Sequence, residues 1–404
     1  MVLRQGRQPL QWRQLGPHLP VGHQTGRLAL AGPDFLESRL DALRAAGNYR
    51  ELPGTRVGAD FWSNDYLGLA RRLESLSRPA FHTAPGSRLI SGDHGGISAL
   101  ESDIAAFHGF PAALLFGSGY TANLGLLSCI ARRTDTIVYD ELIHASLRDG
   151  IRLSGAAARR CRHNSVSQAR RLLDAARDGE GQSFFVTESR FSMDGDQAPL
   201  TELAQACDQA GAHLIVDEAH AIGIDGPKGA GCVADQQLQD RIFASVVTYG
   251  KAPGFHGAAV VGSRSLRDYL INFSRPFIFT TAPRPAQLAG LAEVYRLLDL
   301  EQSTLRQQLQ HVIDHYCTRI GSELGSSIPV MDGPIQIMHL PGNDRVMALE
   351  KQLLERGLLV KGIRSPSVPR GTERLRICLH AYNTEAEIDQ LTTALRGGME
   401  MHSV

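Results

Sequence analysis

Between about residues 60 and 285, short apolar runs alternate with longer amphipathic ones. Ala113 to Phe116, Thr136 to Tyr139, Phe184 to Thr187, Leu214 to Val216, Ser245 to Thr248 and Ala258 to Val261 are strand-like. Most of them lack apolar–polar alternation, so they predict strands covered by helices on both faces. Ala99 to His108, Thr121 to Ala131, Val166 to Ala176 and Thr201 to Gln209 predict helices, with Gly211 as a stop after the last. Strand, turn and helix repeated in this order define an α/β fold, a large doubly wound and mainly parallel sheet domain over residues 61–285. A long helical pattern from about Pro285 to Leu324 then leads into a smaller α+β domain, within residues 286–404. Strand-like runs there at Ile335 to Leu340, Leu358 to Ile363 and Leu375 to Leu379 alternate with helical ones at Asp344 to Arg356 and Thr384 to Arg396. Thr384 and Glu387 stand at capping-box spacing. Ahead of the sheet, residues 1–60 predict an extension and one helix, because Phe35, Leu36, Leu40 and Leu43 recur at helical spacing.

Composition narrows the classes. The chain of 404 residues holds 42 basic and 42 acidic side chains, so no net field favours nucleic acid. Its 6 cysteines show no C-x-x-C spacing, which argues for reduced thiols in a cytoplasmic setting and against zinc or a disulfide framework; no metal site is expected. No apolar run reaches the roughly 20 residues of a membrane span. Residues 1–33 carry arginines and no acid, but no apolar leader; they read as a docked or mobile extension.

The chemistry concentrates after strand ends. Lys251 stands on a polar turn, Thr248-Tyr249-Gly250-Lys251, between two apolar runs. Upstream, Val216-Asp217-Glu218-Ala219-His220 closes another strand with an acid. An amine that can form a Schiff base and a carboxylate that can face a pyridine nitrogen are the pair a pyridoxal 5'-phosphate (PLP) site requires. A lone lysine after a strand is more often a surface charge; its neighbours reverse that expectation. Asp217 would keep the ring nitrogen protonated, and His220 would reach the phenolic oxygen. Asp-Glu-Ala-His is also a helicase box, but no G-x-x-x-x-G-K-[ST] string accompanies it. Gly117-Ser118-Gly119-Tyr120-Thr121-Ala122 lies between a strand and a helix, where small residues expose N–H groups to a phosphate. The same string fits a loose dinucleotide fingerprint with Asp140 about 20 residues on, which keeps a dinucleotide-binding oxidoreductase as a competing reading. His144 and Ser192 each follow a strand end; alone, each is as well explained by structure. Arg374 and Arg376 flank Leu375 on one face of a strand, where a guanidinium can grip a carboxylate.

These residues resemble a known family. Ser63-Asn64-Asp65-Tyr66-Leu67-Gly68-Leu69, Gly86-Ser87-Arg88, His144-Ala145-Ser146-Leu147, Phe191-Ser192-Met193-Asp194-Gly195-Asp196, Asp217 to His220 and Thr248 to Lys251 follow the order of the α-oxoamine synthases, PLP enzymes of fold type I. The resemblance covers about residues 35–397. It implies that Lys251 holds PLP, that Asp217 faces its nitrogen, that His220 and Ser192 sit near the phenolic oxygen and that His144 stacks on the ring. It places Gly119, Tyr120 and Thr248 at the phosphate, with Thr280 and Thr281 reaching the phosphate of a second subunit's cofactor. Arg376 would take the amino-acid carboxylate, Ser367 would lie beside substrate, and Arg50 would lie near the acyl group. Within the family, Ile363 to Arg376 resembles the branch that condenses L-alanine with a pimeloyl thioester in biotin biosynthesis, with loss of carbon dioxide. Glycine C-acetyltransferase is the nearest alternative branch. The resemblance also implies a homodimer with a shared active site, and an acyl donor on CoA or on an acyl carrier protein. Ala252-Pro253, Ser365 and Ile97 depart from the family pattern and bear on acyl-chain preference.

Overall fold

The computed structural model describes residues 41–42, 44–47, 58–69, 72, 86–177, 179, 181–324 and 329–401. The expected first helix and Arg50 fall largely or wholly outside these residues. Residues 1–56 and 57–404 form two compact units, and both main sheets belong to the second.

Seven strands build the large sheet in the order β2-β8-β7-β6-β5-β3-β4. They are β2 (Ala112–Phe116), β3 (Thr136–Asp140), β4 (Ala157–Cys161), β5 (Ser183–Glu188), β6 (His213–Asp217), β7 (Ala244–Thr248) and β8 (Ala258–Gly262). From β4 across to β7 every pairing is parallel. β8 runs antiparallel to both β7 and β2, because only a short turn separates it from β7 and leaves no room for a crossover. Strands β2, β5, β7 and β8 are buried at every position, as continuous apolar runs require.

Helices α1 (Gly95–His108), α2 (Gly119–Ile130), α3 (Ala145–Ser154), α4 (Val166–Arg177), α5 (Leu200–Ala210) and α6 (Arg264–Phe273) cover this sheet. Gly211 at φ 67° ends α5 in the left-handed conformation that a side chain would strain. The expected long helix is α7 (Pro285–Leu324). Beyond it, β9 (Ile335–His339), β11 (Lys361–Ile363) and β12 (Arg374–Cys378) form an antiparallel sheet ordered β11-β12-β9, packed with α8 (Asn343–Glu355). The last helix is α9 (Glu385–Met401), which packs on α7 and α8. The apolar run Leu358 to Ile363 is divided. β10 (Leu358–Leu359) pairs in parallel with β1 (Ala59–Asp60), while β11 joins β12. Register across β12 sets Arg376 opposite Ile337 and Lys361.

Candidate active site

Parallel strands deliver their carboxyl ends to one edge of the sheet, where open α/β folds bind ligands. Here β5, β6 and β7 end side by side in Glu188, Asp217 and Thr248. A cleft of about 200 Å³ opens over them. Its lining includes Gly119, Tyr120, His144, Ser192, Asp217, His220, Thr248 and Lys251. Eight expected site residues, drawn from five separate loops, are thereby brought together. Asn123, Ser146, Glu188 and His256, which the sequence reading did not single out, line it too.

Asp217 is buried and well held. Asn123 Nδ2 donates to its Oδ2 at 2.7 Å, and the Ala219 N–H donates to Oδ1 at 2.9 Å. Burial pushes its carboxyl up, while these donors, His144 and Lys251 pull it back toward the ionised form. Asn123 also donates to Ser146 Oγ at 3.0 Å. It lies one helical turn after Gly119, so the residue that presents the loop and the one that holds the acid share a face of α2. That spacing is the signal that could have found it.

Lys251 Nζ makes no hydrogen bond or ion pair among the described residues. Burial and the positive charge of Arg376 lower its pKa, against the pull of Asp217 and Glu188. His220 is held neutral, since burial and then Lys251 drive its pKa well below the ordinary value. Its Nδ1 shares a 3.0 Å hydrogen bond with the Tyr66 hydroxyl. His144 caps α3; its Nδ1 lies 2.8 Å from Ser146 Oγ, and its N–H donates to Glu188 Oε1 at 2.6 Å.

Arg376 is buried on β12 beneath the cleft. Its Nε donates to the Ser192 carbonyl at 2.7 Å, and its Nη2 donates to Asn64 Oδ1 at 3.0 Å and to the Tyr66 hydroxyl at 3.2 Å. Arg374 instead pairs with Asp194 and donates to the carbonyls of Thr372 and Met193. The two arginines on one strand face therefore part company: one is spent on the Ser192 loop, the other adjoins the Lys251 field.

Other expected residues stand elsewhere. Ser367 is exposed in the loop before β12, outside the cleft lining. Thr280 and Thr281 line an adjoining, mainly apolar cavity of about 230 Å³ that shares His256 and Gly257 with the cleft. Thr280 Oγ1 donates to the Pro276 carbonyl at 2.6 Å, and Thr281 bridges to Ser87. Asp140, which the dinucleotide reading needs for a ribose, is consumed internally. It accepts from the Leu142 and Asn164 N–H groups at 2.8 Å each and pairs with His163 at 3.0 Å. Glu218, beside Asp217, turns away from the cleft to accept the Val233 N–H at 3.0 Å, and burial lifts its carboxyl to about 8.

The cleft fits PLP. The Ser118 side chain takes the Thr121 N–H, while the N–H groups of Gly119 and Tyr120 have no acceptor among the described residues. A Cβ on Gly119 would meet Thr248 Cγ2 at 2.6 Å, so the loop approaches this strand end too closely for any side chain. Thr248 Oγ1 is buried with no partner. Open N–H groups at a helix N-terminus and a spare hydroxyl make a phosphate cradle. A held carboxylate and an unpaired amine face the same space.

The family profile for aminotransferase class I and II matches residues 58–395, and the chain belongs to this family. Over nearly its whole length it is similar to 8-amino-7-oxononanoate synthases. It is 43% identical over 381 residues to the one from Alkalilimnicola ehrlichii, covering 89% of this chain and 96% of that relative. To the one from Halorhodospira halophila it is 42% identical over 396 residues, 93% of this chain and 96% of that relative. A serine palmitoyltransferase from S. paucimobilis, solved with a PLP–myriocin adduct, superposes with a TM-score of 0.81 at 26% identity, over 91% of this chain and 97% of that one. An 8-amino-7-oxononanoate synthase from Francisella tularensis does so with a TM-score of 0.71 at 28% identity, over 86% and 99%. The architecture is that of the fold type I PLP transferases, as the family resemblance implied.

Proposed function

We propose that this chain is a PLP-dependent acyltransferase that condenses L-alanine with a pimeloyl thioester to give 8-amino-7-oxononanoate, thiol and carbon dioxide, a cytoplasmic step of biotin biosynthesis. The observation that carries this is the half-buried amine of Lys251, unpaired among the described residues, in one cleft with the held carboxylate of Asp217. Relatives of the same name over most of the chain support the choice of substrates. PLP, once bound, supplies the electron sink for negative charge at the amino acid's α-carbon.

The chain's own residues do the rest. Lys251 Nζ would hold the cofactor covalently and, once released, would be the amine placed to take and return the α-proton; its lowered pKa eases the loss of its own proton. Asp217 would hold a proton on the ring nitrogen. The neutral His220 and Ser192 would serve the phenolic oxygen, and His144 would lie against the ring. The N–H groups of Gly119 and Tyr120, with Thr248 Oγ1, take the phosphate. Arg376 orients the alanine carboxylate from below. Ser367 and Arg50 serve the substrate, and Thr280 and Thr281 complete the phosphate site of a partner in a homodimer. The donor is a CoA or acyl carrier protein thioester.

The test is direct. Protein loaded with PLP should show a visible band that borohydride bleaches, and L-alanine with pimeloyl-CoA or pimeloyl-carrier protein should yield the amino ketone. Lys251→Ala should lose the bleachable band and at least about a thousandfold in turnover. A Lys251→Ala variant with an unaltered band would reject the assignment, and turnover with glycine and acetyl-CoA alone would move the chain to the neighbouring branch.

A further inference from the structure

Two carboxylates lie side by side in the cleft, and the mechanism uses only one. Glu188 and Asp217 are register partners on β5 and β6, so their side chains leave the sheet on the same face. Both are buried, at 3% and 4% exposure. Adjacent buried carboxylates do not both ionise cheaply, because each charge raises the cost of the other. Asp217 has the better claim to the charge: an amide and a backbone N–H point at its two oxygens. The proton therefore belongs to Glu188. Burial and the Asp217 charge push its carboxyl well above the usual range, against the N–H donors and the Lys251 charge that favour ionisation.

Glu188 also sits where two loops meet. Its Oε1 accepts the His144 N–H at 2.6 Å, from the loop that follows β3. The Ser192 N–H, on the loop that follows β5, also faces this carboxyl and favours its ionised form. His144 and Ser192 both line the cleft. One side chain thus ties together the two loops that present them.

We propose that Glu188 is a positioning residue which, as a neutral acid, braces the His144 and Ser192 loops around the cofactor site and leaves the single negative charge there on Asp217. It touches neither substrate nor ring in this role. Its work is to satisfy the His144 N–H and keep two loops in register. A negative charge at 188 is not needed for it. This rests on the PLP reading above.

The experiment is a PLP titration of apo protein, followed by absorbance, with thermal melts of the apo forms alongside. Glu188→Gln preserves the acceptor and the shape without the carboxyl proton. It should bind PLP within about threefold of wild type, since one polar contact of like geometry is exchanged for another. Glu188→Ala orphans the His144 N–H, removes the hold on the Ser192 loop and should weaken PLP binding about tenfold or more. If Glu188→Ala still melts cooperatively yet binds PLP as wild type does, the brace is refuted. If Glu188→Gln is as impaired as Glu188→Ala, a charge at 188 is required and the neutral role is refuted. Should Glu188→Ala fail to fold, the Glu188→Gln titration alone decides on neutrality, and Glu188→Asp, which keeps the acid but is too short to reach both loops, decides on the brace: wild-type affinity there refutes it. Failure of wild-type protein to bind PLP would instead sink the functional reading, so the two failures are distinct.

Discussion

Two clusters at the carboxyl edge of the large sheet, on either side of β5, handle charge in opposite ways. At the end of β3, the imidazole of His163 lies between two carboxylates, with Nδ1 3.0 Å from Asp140 and Nε2 2.8 Å from Asp196. Burial works against its proton, but the two acids lift its pKa to about 10. At the ends of β6 and β7, Lys251 is a half-buried amine beside the Glu188 and Asp217 carboxyl groups, pairs with neither, and has its pKa moved down. The first cluster is largely closed: cation and anions answer one another and knit loops together, and only Asp196 Oδ1 and the Asn164 amide oxygen are left without a partner among the described residues. The second is left open, with a bare amine, an unpartnered Thr248 hydroxyl and unclaimed N–H groups. Charge density does not separate a site from a brace here; incomplete pairing does.

The largest effect that sharpens the contrast is at Asp217. Asp217→Ala should cut turnover roughly a thousandfold while leaving apo stability little changed or raised, because an open cluster gives up a costly buried charge. Steady-state kinetics with L-alanine, paired with apo melts, measure both. A large loss of stability would mean that Asp217 is a brace as His163 is, and the contrast would collapse.

Much of this was readable before any coordinates, for physical reasons. Strands buried on both faces print themselves as unbroken apolar runs, so β5, β6, β7 and β8 were found with errors of one residue at their ends. The edge strand β4, Ala-Ala-Arg-Arg-Cys, was not, because four of its five positions face solvent and it has no apolar signature. Helix α3 was missed although strongly two-faced. Its Gly150 reads as a breaker, but in the fold a Cβ there would meet Leu127 Cβ at 2.8 Å, so the glycine serves close contact with α2. In the cleft, acids and amines at strand ends announce themselves, whereas Asn123 is marked only by its helical spacing from Gly119, and Glu188, which accepts the His144 N–H, only by its neighbours in space. Nor does local pattern say which of Arg374 and Arg376 will be claimed by Asp194.

A second, smaller effect follows from pH. Unfolded histidine titrates near 6.5, and folded His163 near 10. The native state therefore keeps the proton across that window. The stability this contributes is fully present below the unfolded value and is lost as pH rises through about 10. Lys251 has the reverse sign: its folded pKa lies below 10.5, so the native state is penalised while both forms hold the proton and is relieved as pH rises. His163→Gln should therefore be destabilised by on the order of 2 kcal/mol near pH 6, with the deficit shrinking toward pH 10. Apo melts across that range give the answer, and a deficit independent of pH would mean that His163 acts by shape and not by charge. Kinetic constants of the folded variant should stay near those of wild type, which is the difference from Asp217→Ala.

The smallest effect lies at a helix end remote from both clusters. The capping box ahead of α9 is reciprocal, as its spacing implied: Thr384 N donates to Glu387 Oε2 at 2.9 Å, and Glu387 N donates to Thr384 Oγ1 at 3.2 Å. Thr384→Ala removes the second bond and should cost about 1 kcal/mol. Yet the cap is not isolated. Asn383 beside it accepts the His380 N–H at 2.8 Å, His380 Nε2 lies 3.0 Å from Ser63 Oγ, and Asn64 next in the chain accepts from Arg376. If these contacts are independent, the loss will appear in melting alone. A matching rise in KM for L-alanine would instead show that the run from Asn383 to Arg376 behaves as one unit, extending the open cluster into the C-terminal sheet and weakening the claim that pairing alone marks its boundary.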